Sequence, residues 1–326
     1  MSMIKTLSTI KAPIDEELKE FHQRFKAAMK SKVPLLDTIT RFIIKRKGKQ
    51  MRPMFIFLSA KVCGEVTDAT YHAANLVELL HTATLIHDDV VDDSMQRRGF
   101  FSLNALWGNK IAVLVGDYLL SQGLLLSLRE GAYRLLEITS NAVKEMSEGE
   151  LLQIEKARRL DIKEEVYFEI IQKKTASLIA SACASGAASN NSDEETIQRM
   201  HDFGEKIGIA FQIRDDLFDF GDGQAGKPMG NDIQEKKMTL PLIHALNLTD
   251  KGTRNYIINI VKNENTDPKK IKEVTDFVIK SPGIDYARQM MYKYREEAFE
   301  ILNTFPYSPA RESLQDLVTF VTERKK

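Results

Sequence analysis

The sequence predicts an all-α protein, one large helical bundle spanning residues 1–326. Breakers are sparse, with 17 glycines and 9 prolines in the whole chain. Apolar residues recur at three- and four-residue intervals over long stretches, and no stretch sustains the alternation expected of strands. Candidate breaks fall near Pro34, Gly48–Pro53, Gly64–Thr67, Gly99–Ser102, Asn190–Asp193, Gly221–Gly230, Asn263–Pro268 and Ser281–Gly283. They leave about eight to ten helices and no linker long enough to separate a pair of domains, so a single bundle is expected despite the length.

In chain order, the first 21 residues, MSMIKTLSTIKAPIDEELKEF, lack a continuous apolar run and become acidic and amphipathic, so neither a signal peptide nor an anchor is expected. YHAANLVELLHTATLIHDDVVDD (71–93) reads as one helix whose 3.6-residue period puts His81, Thr84, Asp88 and Asp92 on one stripe and Asp89 and Asp93 on the next. The greasiest segment, IAVLVGDYLLSQGLLLSL (111–128), is interrupted by Gly116, Asp117, Ser121 and Gln122. It reads as a buried helix rather than a membrane span. TASLIASACASGAAS (175–189) is a run of small residues that lets helices approach closely. ESLQDLVTFVTERKK (312–326) reads as an amphipathic helix ending in cations, suited to covering one end of the bundle.

Composition narrows the function classes. The chain is 43% hydrophobic with 46 basic and 46 acidic residues, a soluble globular balance that argues against a nucleic-acid binder. Cys63 and Cys183 are the two cysteines, without a CxxC pattern, so neither a disulfide framework nor a zinc site is indicated and a reducing, cytoplasmic setting is expected.

Chemistry concentrates in two acidic clusters. Asp88, Asp89 and Asp92 repeat in spacing as Asp215, Asp216 and Asp219 within FQIRDDLFDF, where Gln212 lies one turn earlier on the same stripe. Clustered carboxylates repel unless a cation compensates them, and an oxygen-only set suits a hard cation such as magnesium. Two helices carrying the same triad can face each other across a bundle. The cations nearby point to a polyanion bridged by metal: Lys49 and Arg52 in KRKGKQMRP, Arg97 and Arg98 after the first cluster, Lys174 in QKKTASL, and Lys227 and Lys237 in GKPMGNDIQEKKMTLP. No GxxxxGK[ST] or strand-borne GxGxxG occurs. A diphosphate that does not belong to a nucleotide remains.

On these residues the chain resembles the trans-type (all-E) isoprenyl diphosphate synthases, whose two DDxxD motifs look like DDVVD (88–92) and DDLFD (215–219). GKQMRP, ELLHTATLIHDDVVDDSMQRRG, LVGDYLL, KTASL, FQIRDD and GKPMGNDIQEKKMTLPLI follow in family order over roughly residues 45–245. The resemblance implies an isoprenoid synthase fold around a central hydrophobic tunnel, a homodimer, and magnesium, three ions per site. It implies that Asp88 and Asp92 hold two ions on an allylic diphosphate with Asp89 in support, and that Asp215 holds the third with Asp216 and Asp219 nearby. Arg97, Lys174 and Lys227 would grip that diphosphate and Lys237 would close over it. Isopentenyl diphosphate would sit on Lys49, Arg52, His81 and Arg98, and Thr175 and Gln212 would turn oxygens toward the carbocation. Gln50 departs from the family, which commonly has arginine there.

Ionising an allylic diphosphate leaves negative charge on the departing group, so a catalyst must stabilise that charge in place. No Ser-His-Asp or Cys-His nucleophile is needed. Ala83 and Thr84, one to two turns before DDVVD, would form the upper wall of the tunnel, and their small size together with HDDVVDDS favours a medium- or long-chain product over geranylgeranyl or farnesyl diphosphate. A terpene cyclase would not need the second set of cations, and a non-catalytic partner subunit would lack one aspartate motif.

Overall fold

Local signals in the sequence start and stop the helices where the chain must turn. A computed structural model describes residues 5–45, 48, 50–97, 100–159, 163–221 and 230–323. Thr67 and Thr70 form a capping box that opens the Asp68–Val91 helix, which carries the first aspartate motif. Asp193 accepts from the Thr196 amide at 2.7 Å and opens the Glu194–Phe218 helix, which carries the second, with Glu194 and Glu195 suited to its positive end. Pro34 and Pro268 stand at the first positions of the Pro34–Lys45 and Pro268–Lys280 helices, where a missing N–H costs nothing.

The described residues form more helices than the eight to ten expected. Short ones, such as Leu7–Lys11, Leu103–Trp107 and Asn231–Gln234, sit in segments that breaker counting assigned to loops. One antiparallel pair of two-residue strands, Gln96–Arg97 with Phe100–Phe101, also appears just after the first motif. Hydrogen bonds at its base hold the chain: Ser102 donates its amide to Met95 O (3.1 Å) and its hydroxyl to Ser94 O (2.6 Å).

The second-motif helix runs through two apolar groupings. Met200, Phe203 and Ile207 join the larger one, with Phe57, Leu76 and Leu119. Ile209, Ile213 and Leu217 join the smaller one, with Leu240, Val261 and Val274. The Ser177–Ala188 helix is buried from Ser177 to Ala187 and packs between the Met51–Cys63 and second-motif helices, most closely at Gly186, where a Cβ would lie 2.5 Å from Ile56 O, and at Ala180, whose Cα would lie 2.7 Å from a Cβ on Gly204. Leu314, Leu317, Val318 and Val321 of the Pro309–Glu323 helix are buried against the larger core, and Glu312 and Asp316 meet Lys5 at 2.7 and 2.9 Å.

The Asn109–Arg129 helix is buried along one stripe only. Ala112, Val115, Gly116, Leu119 and Gly123 pack inward, largely on the first-motif helix, while Val113, Leu114, Leu124, Leu125 and Leu128 are exposed. By length and composition it could cross a membrane. The expectation of a buried helix therefore holds for about a third of it, 33% of its apolar window being buried, because its neighbours among the described residues cover one stripe.

Candidate active site

The first motif lies where its helix ends. Asp88 is half-buried, Asp89 is buried and Asp92 is the exposed cap residue. Beyond it Asp93 turns left-handed (φ 47°), and Ser94 donates its amide to Asp89 O at 2.9 Å while Asp93 donates to Val90 O at 3.4 Å. This is the Schellman pattern, whose left-handed position accepts few residues other than Gly, Asn and Asp. Asn104 donates from Nδ2 to the same Asp89 carbonyl at 3.1 Å, pinning the helix end from the Leu103–Trp107 helix. Asp93 thus shapes the turn rather than joining the ligand stripe.

Lys174 and Thr175 sit in a single π turn, Gln172–Ala176. Such a widened turn recurs at functional sites. Here two glycines admit it. A Cβ on Gly149 would lie 2.9 Å from Lys174 N, and one on Gly208 would lie 2.4 Å from Ala176 Cα. The Tyr133–Arg159 and Glu194–Phe218 helices therefore clamp this segment from two sides. Lys174 is ion-paired with Glu150 and lies 3.4 Å from Gln153 Oε1, both on the Tyr133–Arg159 helix.

On the second-motif helix Asp216 is buried and its two carboxylate oxygens have different donors. Tyr167 Oη donates to Oδ2 at 2.6 Å and Gln212 Nε2 to Oδ1 at 2.9 Å. Gln212 Oε1 in turn accepts from Thr175 Oγ1 at 2.8 Å. Asp219 accepts from the amides of Asn231 (2.9 Å) and Asp232 (3.1 Å), so one of the motif's carboxylates also ties down the short Asn231–Gln234 helix. That tie carries Asp232 toward the motif. Burial first holds the carboxyls of both Asp216 and Asp232 above the usual carboxylate range, with the charge of Asp215 adding to it at Asp216 and the charges of Asp216 and Asp219 at Asp232.

Both motifs feel one lysine, Lys237. Although its side chain reaches solvent, Asp92 is held above the usual range by the desolvation that protein around it imposes, against the pull of Lys174 and Lys237. Lys237, half-buried and paired with Glu235, lies 4.0 Å from Asp232 and also feels Asp92. A cavity of about 530 Å³ opens here, with Asp92, Glu150, Gln153 and Lys237 in its wall.

The donor set fits magnesium. Asp88, Asp92, Asp215, Asp216 and Asp232 offer only oxygens, and the burial that raises the carboxyls of Asp216 and Asp232 makes their ionisation costly, a cost that a divalent cation would offset. Among the described residues no three acidic, histidine or cysteine side chains are gathered tightly enough to enclose an ion by themselves. Such a site suits a metal that completes its shell with water and substrate phosphate oxygens.

Of the remaining expected contacts, Arg52 stands in the first turn of the Met51–Cys63 helix, which Gln50 opens in a left-handed conformation (φ 54°). His81 is buried on the first-motif helix, and Ala83 is fully buried. Thr84 is half-buried and donates its hydroxyl to His81 O at 2.9 Å. His87 has local partners, Val113 O at 3.3 Å and Asp117 Oδ1 at 3.4 Å. Lys49, Arg98, Lys227 and the side chain of Arg97 lie outside the described residues. Sequence reasoning missed Tyr167, Glu150 and Asp232. Only Asp232 had a signal, since it stands within GKPMGNDIQEKKMTLP, where attention went to the lysines.

Residues 33–278 match the polyprenyl synthetase family. Octaprenyl diphosphate synthase of Escherichia coli is 35% identical over 301 residues, covering 91% of this chain and 93% of that relative. Among solved structures, a decaprenyl diphosphate synthase from Rhodobacter capsulatus superimposes with a TM-score of 0.93 at 34% identity, over 98% of this chain and all of the other. A geranylgeranyl pyrophosphate synthase from Bacteroides thetaiotaomicron superimposes with a TM-score of 0.83 at 39% identity, over 97% and 99% of the two chains. With both aspartate motifs, the clamped KTA turn and an all-helical frame shared over nearly its whole length, this chain belongs to the polyprenyl synthetase family and is a prenyltransferase.

Proposed function

We propose that the chain condenses isopentenyl diphosphate head-to-tail onto an allylic diphosphate and releases an all-trans polyprenyl diphosphate of medium to long chain. The observation that carries this reading is that Asp92 of the first motif and Asp216 and Asp232 beside the second all lie in the field of Lys237, with Lys174 completing the pair. Carboxylates from both motifs gathered about one ammonium group, with Asp92 and Lys237 in the wall of one cavity, suit a metal-bridged diphosphate.

Asp88, Asp92 and Asp215 would hold magnesium ions, three per site, with Asp216, Asp219 and Asp232 behind them. When bound, the metal neutralises the diphosphate and stabilises the charge it takes on as a leaving group. The chain's own groups do the rest. Lys174 exchanges Glu150 for a diphosphate oxygen, and Lys237 exchanges Glu235, so each ammonium is already held at the cavity by a carboxylate it can leave. Thr175 donates its hydroxyl hydrogen bond to Gln212 Oε1, which leaves the hydroxyl's lone pairs for the cationic carbon. Arg52 and His81, on adjacent helices, receive isopentenyl diphosphate together with Lys49 and Arg98, and the departing diphosphate takes up the proton that restores the double bond. Magnesium-dependent ionisation thus needs no protein nucleophile.

The small side chain of Ala83, on the first-motif helix one turn before Asp88, is what supports the longer product. The outward apolar stripe of the Asn109–Arg129 helix supports a homodimer, since a monomer gains nothing by leaving five aliphatic side chains in water. Burial pushes the thiols of Cys63 and Cys183 up to about 12, which keeps them inert in a reducing cytoplasm. The test is incubation with labelled isopentenyl diphosphate, magnesium and each allylic primer in turn, followed by sizing of the products. Elongation to medium or long chains is expected. No elongation from any primer overturns the reaction, and a product stopping at geranylgeranyl overturns the length.

A further inference from the structure

We propose that Tyr167 is a positioning residue for the second aspartate motif: its hydroxyl fixes the carboxylate of Asp216, and through Asp216 the amide of Gln212 and the hydroxyl of Thr175. The inference rests on the proposed prenyl transfer and assigns a role that the aspartate motifs do not themselves contain.

Tyr167 is 4% exposed, on the Glu164–Ile171 helix, with its ring edge-on to Phe168. A buried phenol needs a partner, and apolar neighbours such as Ile213 supply none. Its partner is a buried carboxylate on another helix, 49 residues away. With Tyr167 on Oδ2 and Gln212 on Oδ1, the Asp216 carboxylate cannot turn about its own axis, although a carboxylate has lone pairs left for a cation.

The chain of bonds also has a direction. Gln212 commits its Nε2 to Asp216, so its Oε1 is left to accept from Thr175. Turning that amide over would set oxygen against oxygen at Asp216 and leave Thr175 facing an N–H. Tyr167 at one end and Thr175 at the other therefore hold three side chains in one arrangement. Phenylalanine at 167 would keep the packing and release Asp216 to rotate.

The experiment compares Tyr167→Phe, Thr175→Val and the double variant with the wild-type protein. Four quantities are read: kcat, KM for isopentenyl diphosphate, magnesium affinity by calorimetry with inorganic diphosphate present, and the melting temperature. Loss of a group that orients a metal-site carboxylate typically costs about 10- to 100-fold in activity or metal affinity. Tyr167→Phe is therefore expected to lower kcat by about that factor and weaken magnesium binding about tenfold, with KM for isopentenyl diphosphate unchanged because Arg52 and His81 are untouched. The double variant should lose little more than the worse single variant, as members of one chain do. A purely structural hydroxyl would lower the melting temperature and leave magnesium affinity alone, and that result overturns the proposal. So do a near-wild-type kcat, or losses that multiply in the double variant. If Tyr167→Phe does not fold, Thr175→Val decides from the other end: weakened magnesium binding supports the chain, and unchanged binding overturns it. A wild-type protein inactive with every primer would instead overturn the reaction, while the magnesium titrations still judge Tyr167.

Discussion

Gly208→Ala tests whether the clamp on the KTA turn matters for chemistry rather than for folding. The new Cβ would stand 2.4 Å from Ala176 Cα and 2.7 Å from Ala176 Cβ. Carbon contacts settle at about 3.5 Å or more, so the π turn and the second-motif helix must separate by roughly 1 Å. Thr175 Oγ1 lies 2.8 Å from Gln212 Oε1, and adding that displacement takes it to about 3.8 Å, beyond hydrogen-bonding distance. Overpacking of this kind costs about 1–3 kcal/mol, offset by about 1 kcal/mol because alanine is the better helix former. The net loss of about 0–2 kcal/mol lowers the melting temperature by no more than about 4 °C in a chain of this size. Turnover should fall much further, on the order of 100-fold, as misplacements of 1 Å do. Steady-state kcat at saturating substrates and a thermal melt decide it. A variant that melts within a few degrees of the wild type and turns over at its rate would show that the helices yield elsewhere and that the clamp does not set the position of Thr175.

Asp88→Ala and Asp215→Ala should each cut magnesium-dependent condensation by on the order of 100- to 1000-fold while circular dichroism stays helical; unchanged turnover in either removes that residue from the metal site. Ala83→Phe, at a fully buried position, should shorten the product, and an unaltered product ladder would place the tunnel wall elsewhere. Leu114→Glu, at a residue 63% exposed on the outward stripe, should halve the mass seen by light scattering without unfolding the chain. An unchanged mass would mean that this face is not the subunit contact.

What the sequence made legible was chemistry that repeats along one helix. DDVVD and DDLFD stand out because an i, i+4 spacing fixes a shared face before any tertiary contact forms, and Gln212 belonged to the same reasoning, four residues before Asp216. What stayed hidden needs partners distant in the chain. Tyr167 meets Asp216 across 49 residues, and Glu150 meets Lys174 only once two helices pack against the KTA turn. No periodicity announces either pairing. Gly149 and Gly208 were equally mute, because a glycine inside a helix costs stability and gains a reason only from the backbone that comes within 3 Å of it.

The aspartates after His87 show the same division within six residues. On sequence they are four carboxylates differing only in register, yet the helix stops at Val91 and sorts them by backbone conformation. Asp88 and Asp89 remain helical, Asp92 caps, and Asp93 turns left-handed, a conformation that its short polar side chain tolerates better than most. Because Ser94 and Asn104 both bond to the carbonyl of Asp89, the stop is fixed in place, and the direction in which Asp88 and Asp92 point is fixed with it. A longer helix would leave Asp92 one turn after Asp88 and carry only Asp93 and the residues after it onward around the cylinder, about 100° per residue. The four aspartates are thus sorted as much by where the helix ends as by their spacing.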